Sequence, residues 1–360
     1  MTLRPLPATI ADVTPEWLTA ALAHAPHWPG RPIVAVDARP VGGRDALASA
    51  VYAARVGVRT PGGAVEPVRL FVKLHHPDPS QRDDAGYAAE ACFYRELAHR
   101  AGTPVPTTHF AEYDEPARRL VIVQEYLSDG RIGSSDRALP IEDLRRVLSS
   151  LAALHATWWN DPALALMTGV RPFDAAIRRA IDRLRNVDLD VRGFLDRFGG
   201  LVHPAVVDYY ATMPLWMERV ADGLSTTFTL VHLDCSAKNL FIPHDQRRDP
   251  VLFDWALFRS GNPALDLATL LCYSTDPAEH DRLPDLVRDY HGKLAAQGIR
   301  DYAYATLWDD FRLACLWRLA APVANAAFGT AARDAHARTI ISLLDSAVLR
   351  SGALDLLEPP

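Results

Sequence analysis

The chain has 360 residues, 49% of them hydrophobic, and a formal net charge of −6. That is enough apolar material for one large domain or two modest ones with real cores, and it excludes a disordered chain. No basic stripe with interleaved aromatics accompanies the acidic balance, so nucleic acid is not an expected partner.

The four cysteines, Cys92, Cys235, Cys272 and Cys315, are far apart and form no CxxC. This argues against a disulfide framework or a zinc site and for a reducing, cytoplasmic setting. Met1 to Asp12 lacks a basic stretch followed by an apolar core, and no later run is apolar for 18 residues. Neither export by the usual route nor a membrane span is therefore expected.

In chain order, Thr14-Pro15-Glu16-Trp17 reads as a helix start: a capping hydroxyl, a proline at the first helical position and an acid at the positive end of the dipole. The helix runs to about Ala25, and Pro26 to Pro32 breaks it. Strands follow at Ile33 to Arg39, Val51 to Val58 and Val68 to Leu74. Between the first two lies Val41-Gly42-Gly43-Arg44-Asp45-Ala46-Leu47-Ala48-Ser49. Such a glycine-containing loop between strands can cover phosphates with backbone N–H groups and the Ser49 hydroxyl. Lys73 sits inside the apolar strand Arg69 to Leu74, where its charge needs a match. The next helix, about Ala85 to Arg100, offers one. Tyr87, Phe93, Tyr94 and Leu97 make its apolar face, and Glu90 projects from the middle of that face, whereas Glu96 points away.

Leu120 to Val123 is a buried strand, continued by Gln124-Glu125-Tyr126-Leu127. Ile141 to Trp159 is strongly helical, with Leu144, Val147, Leu148, Leu151, Leu154 and Trp158 on one stripe. His155 on this helix reads as a satisfied packing residue. Phe173 to Gly223 is mostly helical, with Arg and Asp nearly balanced. Then comes Val231-His232-Leu233-Asp234-Cys235-Ser236-Ala237-Lys238-Asn239, a polar loop sealed between apolar runs, with Cys235 as a small filler. Leu240 to Ile242 and Val251 to Phe253 form a hairpin by pattern. Positions 239 and 254 are equidistant from its tip, which sets Asn239 opposite Asp254. An amide oxygen beside a carboxylate is a hard ligand pair suited to Mg²⁺. Further amphipathic helices are expected over Pro277 to Ala296, capped by Asp276, over Tyr304 to Ala321, and over Ala331 to Ser351.

The run His232-Leu233-Asp234, four residues, Asn239, and later Asp254-Trp255 resembles the catalytic loop and metal-binding strand of the protein-kinase superfamily. More narrowly, it is similar to the aminoglycoside phosphotransferase group with its choline-kinase-like and ecdysteroid-kinase-like relatives. Gly261-Asn262-Pro263-Ala264-Leu265-Asp266-Leu267-Ala268 and Leu154-His155-Ala156-Thr157-Trp158 resemble further runs of that group. The resemblance implies an α+β, bilobal protein-kinase-like fold. Residues 1–127 would form a small antiparallel-sheet lobe, and residues 128–360 a larger, mainly helical one. It implies that Lys73, paired with Glu90, holds the α- and β-phosphates. Gly43, Ser49 and the hinge Glu125, Tyr126 and Leu127 would contact nucleotide. Asn239 and Asp254 would bind Mg²⁺, Asp234 would take the acceptor's proton, and His232 and Asp266 would brace the loop. The co-substrate is then ATP or GTP, and the partner a hydroxyl-bearing small molecule, with the protein a monomer or homodimer.

Leu233 stands where protein kinases favour Arg, Asp254-Trp255-Ala256 replaces Asp-Phe-Gly, and no Ala-Pro-Glu motif follows. These departures point away from a protein substrate. The acceptor-side helices carry Trp and Tyr and only mild acidity, which suits a neutral or weakly charged, partly apolar hydroxyl-bearing acceptor, an antibiotic or other secondary metabolite such as a sugar-containing natural product, a macrolide-like compound or a sterol-like alcohol, better than a polycationic aminoglycoside. An aminoglycoside-specific kinase, a non-catalytic nucleotide-binding module and a nucleotidyl transferase are the rival readings.

Overall fold

The computed structural model describes residues 5–26, 28, 31–41, 49–167, 170, 172, 178, 190–327 and 329–357. Gly43 and residues 173–177 and 179–189 of the long segment before the catalytic loop lie outside the described residues.

Five strands form one antiparallel sheet in the order β1-β2-β3-β5-β4. They are β1 (Ile33–Pro40), β2 (Ser49–Arg59), β3 (Val65–His75), β4 (Thr108–Asp114) and β5 (Arg119–Glu125). The continuous apolar run of β5 follows from burial on both faces. Val121 and Val123 join a core with helix α1 (Pro15–Leu22), while Leu120 and Ile122 join the main core with Tyr87, Phe93 and Leu97. That is the two-residue period of a strand, with apolar side chains on each side. The Thr14 hydroxyl caps α1 by accepting from the Trp17 N–H at 3.2 Å. β4 has no counterpart in the sequence reading. Its side chains are all half-buried, so it carries no alternation, and Pro104 and Pro106 just before it read as loop.

The segment expected as one helix over 85–100 changes pitch. Helix α2 spans Asp84–Cys92, then Phe93–Leu97 widens into a π-helical turn, then Ala98–Arg100 tightens into a 3₁₀ turn. The wide turn keeps Phe93, Tyr94 and Leu97 all in the core.

Beyond β5 the chain is mainly helical. Helix α3 (Ile141–Thr157) buries the expected leucine stripe. Helices α4 (Val191–Phe198), α5 (Pro204–Gly223), α6 (Ala264–Ser274), α7 (Leu283–Ala296), α8 (Tyr304–Arg318), α9 (Ala320–Ala327) and α10 (Ala331–Ser351) build the rest. The expected start at Pro277 is a 3₁₀ turn, Pro277–Arg282, that leads into α7, and Asp276 does cap it. The expected single helix over 304–321 gives way to α9 after Arg318. Two small sheets accompany these helices. One pairs β7 (Thr229–Val231) with β10 (Arg259–Gly261); the other has the order β6-β8-β9, with β6 (Gly130–Ile132), β8 (Leu240–Pro243) and β9 (Val251–Leu252). The molecule is thus a bilobal α+β protein. No helix among the described residues is long and apolar enough to cross a membrane. Cys272 and Cys315, distant in sequence, meet across α6 and α8 with their sulfurs 3.6 Å apart, and all four cysteines are free.

Candidate active site

Strand β7 delivers the loop 232–239, and Asp266, at the start of α6, fixes where it turns. Its carboxylate accepts from the His232 N–H and from the Leu233 N–H, each at 2.7 Å, and it meets His155 Nε2 at 3.2 Å. Two adjacent N–H groups pointing at one carboxylate need a sharp bend, and Leu233 supplies it with a left-handed φ of 64°. Burial pushes the Asp266 carboxyl up, but the hydrogen bond and charge of His155, with His232 beside it, outweigh burial and hold it below the ordinary value. Arg318 on α8 donates to the Leu233 carbonyl at 2.7 Å and to the Thr269 hydroxyl. His155 is fully buried, with Nδ1 against the Tyr290 hydroxyl at 2.7 Å.

His232 has its tautomer set by its neighbours. Nδ1 accepts from the Asp234 N–H at 3.3 Å, so Nε2 carries the proton and donates to the Phe253 carbonyl at 3.0 Å. The ring therefore ties the 232–239 loop to the 253–254 segment.

Asp234 accepts through Oδ2 from Lys238 Nζ at 2.9 Å and from Asn239 Nδ2 at 2.8 Å. Asn239 Nδ2 also donates to the Asp234 carbonyl at 2.9 Å. With both amide hydrogens used, Asn239 Oδ1 is the atom left to take a ligand. Asp234 Oδ1 has no hydrogen bond among the described residues.

The hairpin register differs from the expected one. Leu240 pairs with Leu252 and Phe241 with Val251, so Phe253, not Asp254, stands opposite Asn239 and donates its N–H to the Asn239 carbonyl at 3.2 Å. Counting from the tip assumed a symmetric turn, and the register is one residue off that count. Asp254 lies just past the ladder in a left-handed conformation, φ 65°. Its carboxylate Oδ1 reaches Lys73 Nζ at 2.9 Å.

Lys73, near the C-terminal end of β3, also meets Glu90 of α2, at 2.7 Å. One buried ammonium thus serves two carboxylates. Desolvation alone would lower the Lys73 pKa, but Asp254 and Glu90 drive it well above the ordinary lysine value, so the charge is retained. Burial pushes the Glu90 carboxyl up, against the pull of Lys73, to about 7. At Asp254, burial again raises the pKa, but Lys73 prevails and the carboxyl stays below its usual value.

Among the other expected residues, Ser49 opens β2 opposite His75, two positions along the sheet from the Val51–Lys73 pair. Glu125 turns to the sheet edge: its carboxylate accepts from the Thr107 N–H at 2.8 Å, and its own N–H donates to the Thr107 carbonyl at 2.9 Å. The Arg69 guanidinium lies 3.7 Å from the centre of the Tyr126 ring, and Leu127 is half-buried on the way to β6. Cys235 is fully buried, and burial lifts its thiol well above the usual value, which fits a filler.

Three residues escaped the sequence reading. Lys238, four residues after Asp234, carried a signal in its spacing. Arg318 was a lone base in an apolar helix stripe. Arg333, half-buried on α10, donates to Asn325 Oδ1 at 3.1 Å; burial lowers its pKa and the Asp234 carboxylate opposes that shift. No local pattern pointed to it.

The aromatic Trp255 is fully buried and stacks on Phe93, with centroids 3.8 Å apart and planes within 5°; the His232 ring lies 4.4 Å away. As a metal site the oxygen set of Asn239 and Asp254 suits a hard cation, but only with further oxygens from a ligand. Among the described residues no group of three or more His, Cys, Asp or Glu could hold a metal by itself.

Residues 46–308 match the model of a family described as "Phosphotransferase enzyme family". Among curated proteins, none matches the chain. Several solved structures resemble it. A macrolide 2′-phosphotransferase from Brachybacterium faecium is 18% identical over 87% of this chain and 94% of its own, with a TM-score of 0.51. A choline kinase from Cryptosporidium parvum is 10% identical over 95% and 98%, with a TM-score of 0.59. A Plasmodium vivax ethanolamine kinase is 10% identical over 88% and 81%, with a TM-score of 0.58.

Proposed function

The chain belongs to the phosphotransferase enzyme family and has a bilobal, protein-kinase-like fold, and from that premise we propose that it moves the γ-phosphate of ATP or GTP to a hydroxyl of a small molecule. Residues 1–127 are the nucleotide lobe and 128–360 the catalytic and acceptor lobe. The observation that carries this reading is the chain of contacts Glu90–Lys73–Asp254 and Lys238–Asp234–Asn239, which sets one buried cation on the sheet part and one half-open carboxylate on the helical part.

Each group is given the role that the family resemblance implies. Lys73, kept charged by two carboxylates, meets the α- and β-phosphates, and Glu90 holds it upright. Ser49 and Gly43 cover the phosphates. Because the N–H and carboxylate of Glu125 are engaged by Thr107, the base is read by the backbone of Tyr126 and Leu127. Asp254 and Asn239 Oδ1 would hold Mg²⁺, which when bound offsets phosphate charge. Asp234 Oδ1 meets the acceptor hydroxyl and receives its proton, while Oδ2 stays fixed by Lys238 and Asn239. His232 and Asp266 hold this geometry. The acceptor is neutral or weakly charged and partly apolar.

The test is Asp234→Asn, nearly isosteric, assayed with a panel of hydroxylated metabolites and antibiotics. Nucleotide binding should persist while transfer falls roughly 10²–10⁴-fold. Near-normal transfer would remove Asp234 from the chemistry. Nucleotide binding without transfer to any acceptor in the wild type would favour the non-catalytic reading.

A further inference from the structure

In the β2–β3 ladder Arg55 stands directly opposite Arg69, within the unshifted run that also pairs Val51 with Lys73. Directly opposite residues of an antiparallel pair share a face, and so do positions two apart on one strand. Arg55 and Arg69 therefore lie on the sheet face that bears Lys73, four residues along β3 from it, or about 13 Å. The other face, with Leu70, Val72 and Leu74, is the one packed with α1. Arg59, also on the Lys73 face, adds another exposed cation to the far end of β2.

Like charges set directly opposite each other destabilise a ladder. Nothing in the chain offsets this pair. Arg55 and Arg69 are both exposed, and neither guanidinium has a hydrogen bond or a salt bridge among the described residues. The next residue across the ladder is Asp37 on β1, opposite Arg55, and Arg39 already pairs with it at 3.4 Å. Arg69 is also held in place: its guanidinium lies over the Tyr126 ring, 3.7 Å from the centroid. A guanidinium that rests its flat face on a ring keeps its N–H edge open to a ligand, and less freedom is lost when that edge is used. Two such forks on one face match an oxyanion with two charges better than a single carboxylate.

We propose that Arg55 and Arg69 together hold a phosphate group, as the inorganic ion or as a monoester, at a site apart from Lys73 and beside Tyr126. A phosphate monoester carries close to two negative charges above pH 7. It fills both forks and cancels the repulsion across the ladder in one step. The site does not depend on the phosphotransferase reading, since no transfer takes place there.

The experiment is calorimetric titration of the full chain at pH 8 with inorganic phosphate and, separately, with glycerol 3-phosphate, each against sodium chloride of matched ionic strength. The wild type should bind at least one of them. Binding of the inorganic ion alone identifies free phosphate as the ligand, and tighter binding of glycerol 3-phosphate identifies a monoester. Arg55→Gln and Arg69→Gln should each weaken binding about tenfold or more, the usual worth of a charged hydrogen bond. Arg69→Lys, which keeps the charge but loses the fork, should weaken it nearly as much. In phosphate-free buffer of low ionic strength Arg55→Gln should melt no lower than the wild type, because it relieves the like-charge pair. Absence of phosphate binding, an equal response to chloride, or binding that either glutamine variant leaves unchanged overturns the site; the last result would place the anion elsewhere, as at Lys73.

Discussion

Lys73 stands between two carboxylates in a place where water is scarce, and removing either partner has unequal consequences. Without Glu90, the ammonium keeps Asp254; without Lys73, two carboxylates face each other unpaired. Breaking a buried pair from one side costs about 3–5 kcal/mol. Lys73→Met should therefore destabilise more than Glu90→Gln, and the double variant should lose less than the sum, with a coupling of about 1–3 kcal/mol. Urea unfolding of the three variants measures this, and additive losses would contradict the contact. The Lys73–Glu90 pair was readable because each is a charge aimed into an apolar face, and such charges must find each other. The Lys73–Asp254 pair was not. It depends on Asp254 adopting φ 65° one step past a ladder whose register is shifted, and nothing in the apolar pattern of Leu240 to Phe253 records that shift.

Among the elements, α10 carries the clearest pH signature. Asp345 on its buried face is 4% exposed. Its Oδ2 accepts the His203 N–H at 2.6 Å, at the start of α5, while Oδ1 has no partner among the described residues. Burial pushes this carboxyl up to about 6, only partly opposed by His203. A carboxyl with a raised folded-state pKa favours the fold while protonated. That contribution is complete below about 4, fades as pH rises through about 6, and stays lost above. Asp345→Asn, which keeps an acceptor for His203 and carries no charge, should gain up to about 3 kcal/mol over wild type at pH 8 and match it near pH 4. Thermal unfolding at the two pH values checks this; equal midpoints at both would mean that Asp345 ionises normally. The limits of α10, Ala331–Ser351, were visible in the sequence, from apolar periodicity alone. The breaks at Phe93 and at Leu319 were not, because a changed pitch leaves buried residues at nearly the same spacing.

At the scale of the molecule, the sheet with α1 and the helical assembly meet around the Lys73–Asp254 contact, so a ligand held there should stabilise both parts together. Mg²⁺ with nucleotide at ~100 times its dissociation constant should raise stability by about 2.7 kcal/mol. Asp254→Ala should keep nucleotide binding but lose most of the enhancement by Mg²⁺, measured by thermal shift with and without the metal. Equal enhancement in both proteins would remove Asp254 from the metal site. The bilobal architecture could be foretold because strands precede helices in the chain and the motif order supplied the rest. The edge strand β4 and the contact between Cys272 and Cys315 could not, since half-buried strands lack alternation and spatial neighbours leave no mark in spacing.

The stack of Phe93 on Trp255, with His232 beside it, joins the segment that follows the Glu90 helix to both loops of the candidate site. Such aromatic pairs add about 0.5–1.5 kcal/mol each beyond the area they bury. For a medicinal chemist this closes one door. A compound that works by prying that helix outward must first unstack rings that are already in contact. On the proposed function, blocking this protein is then a matter of outcompeting the nucleotide or the acceptor, and potency will be set against their concentrations.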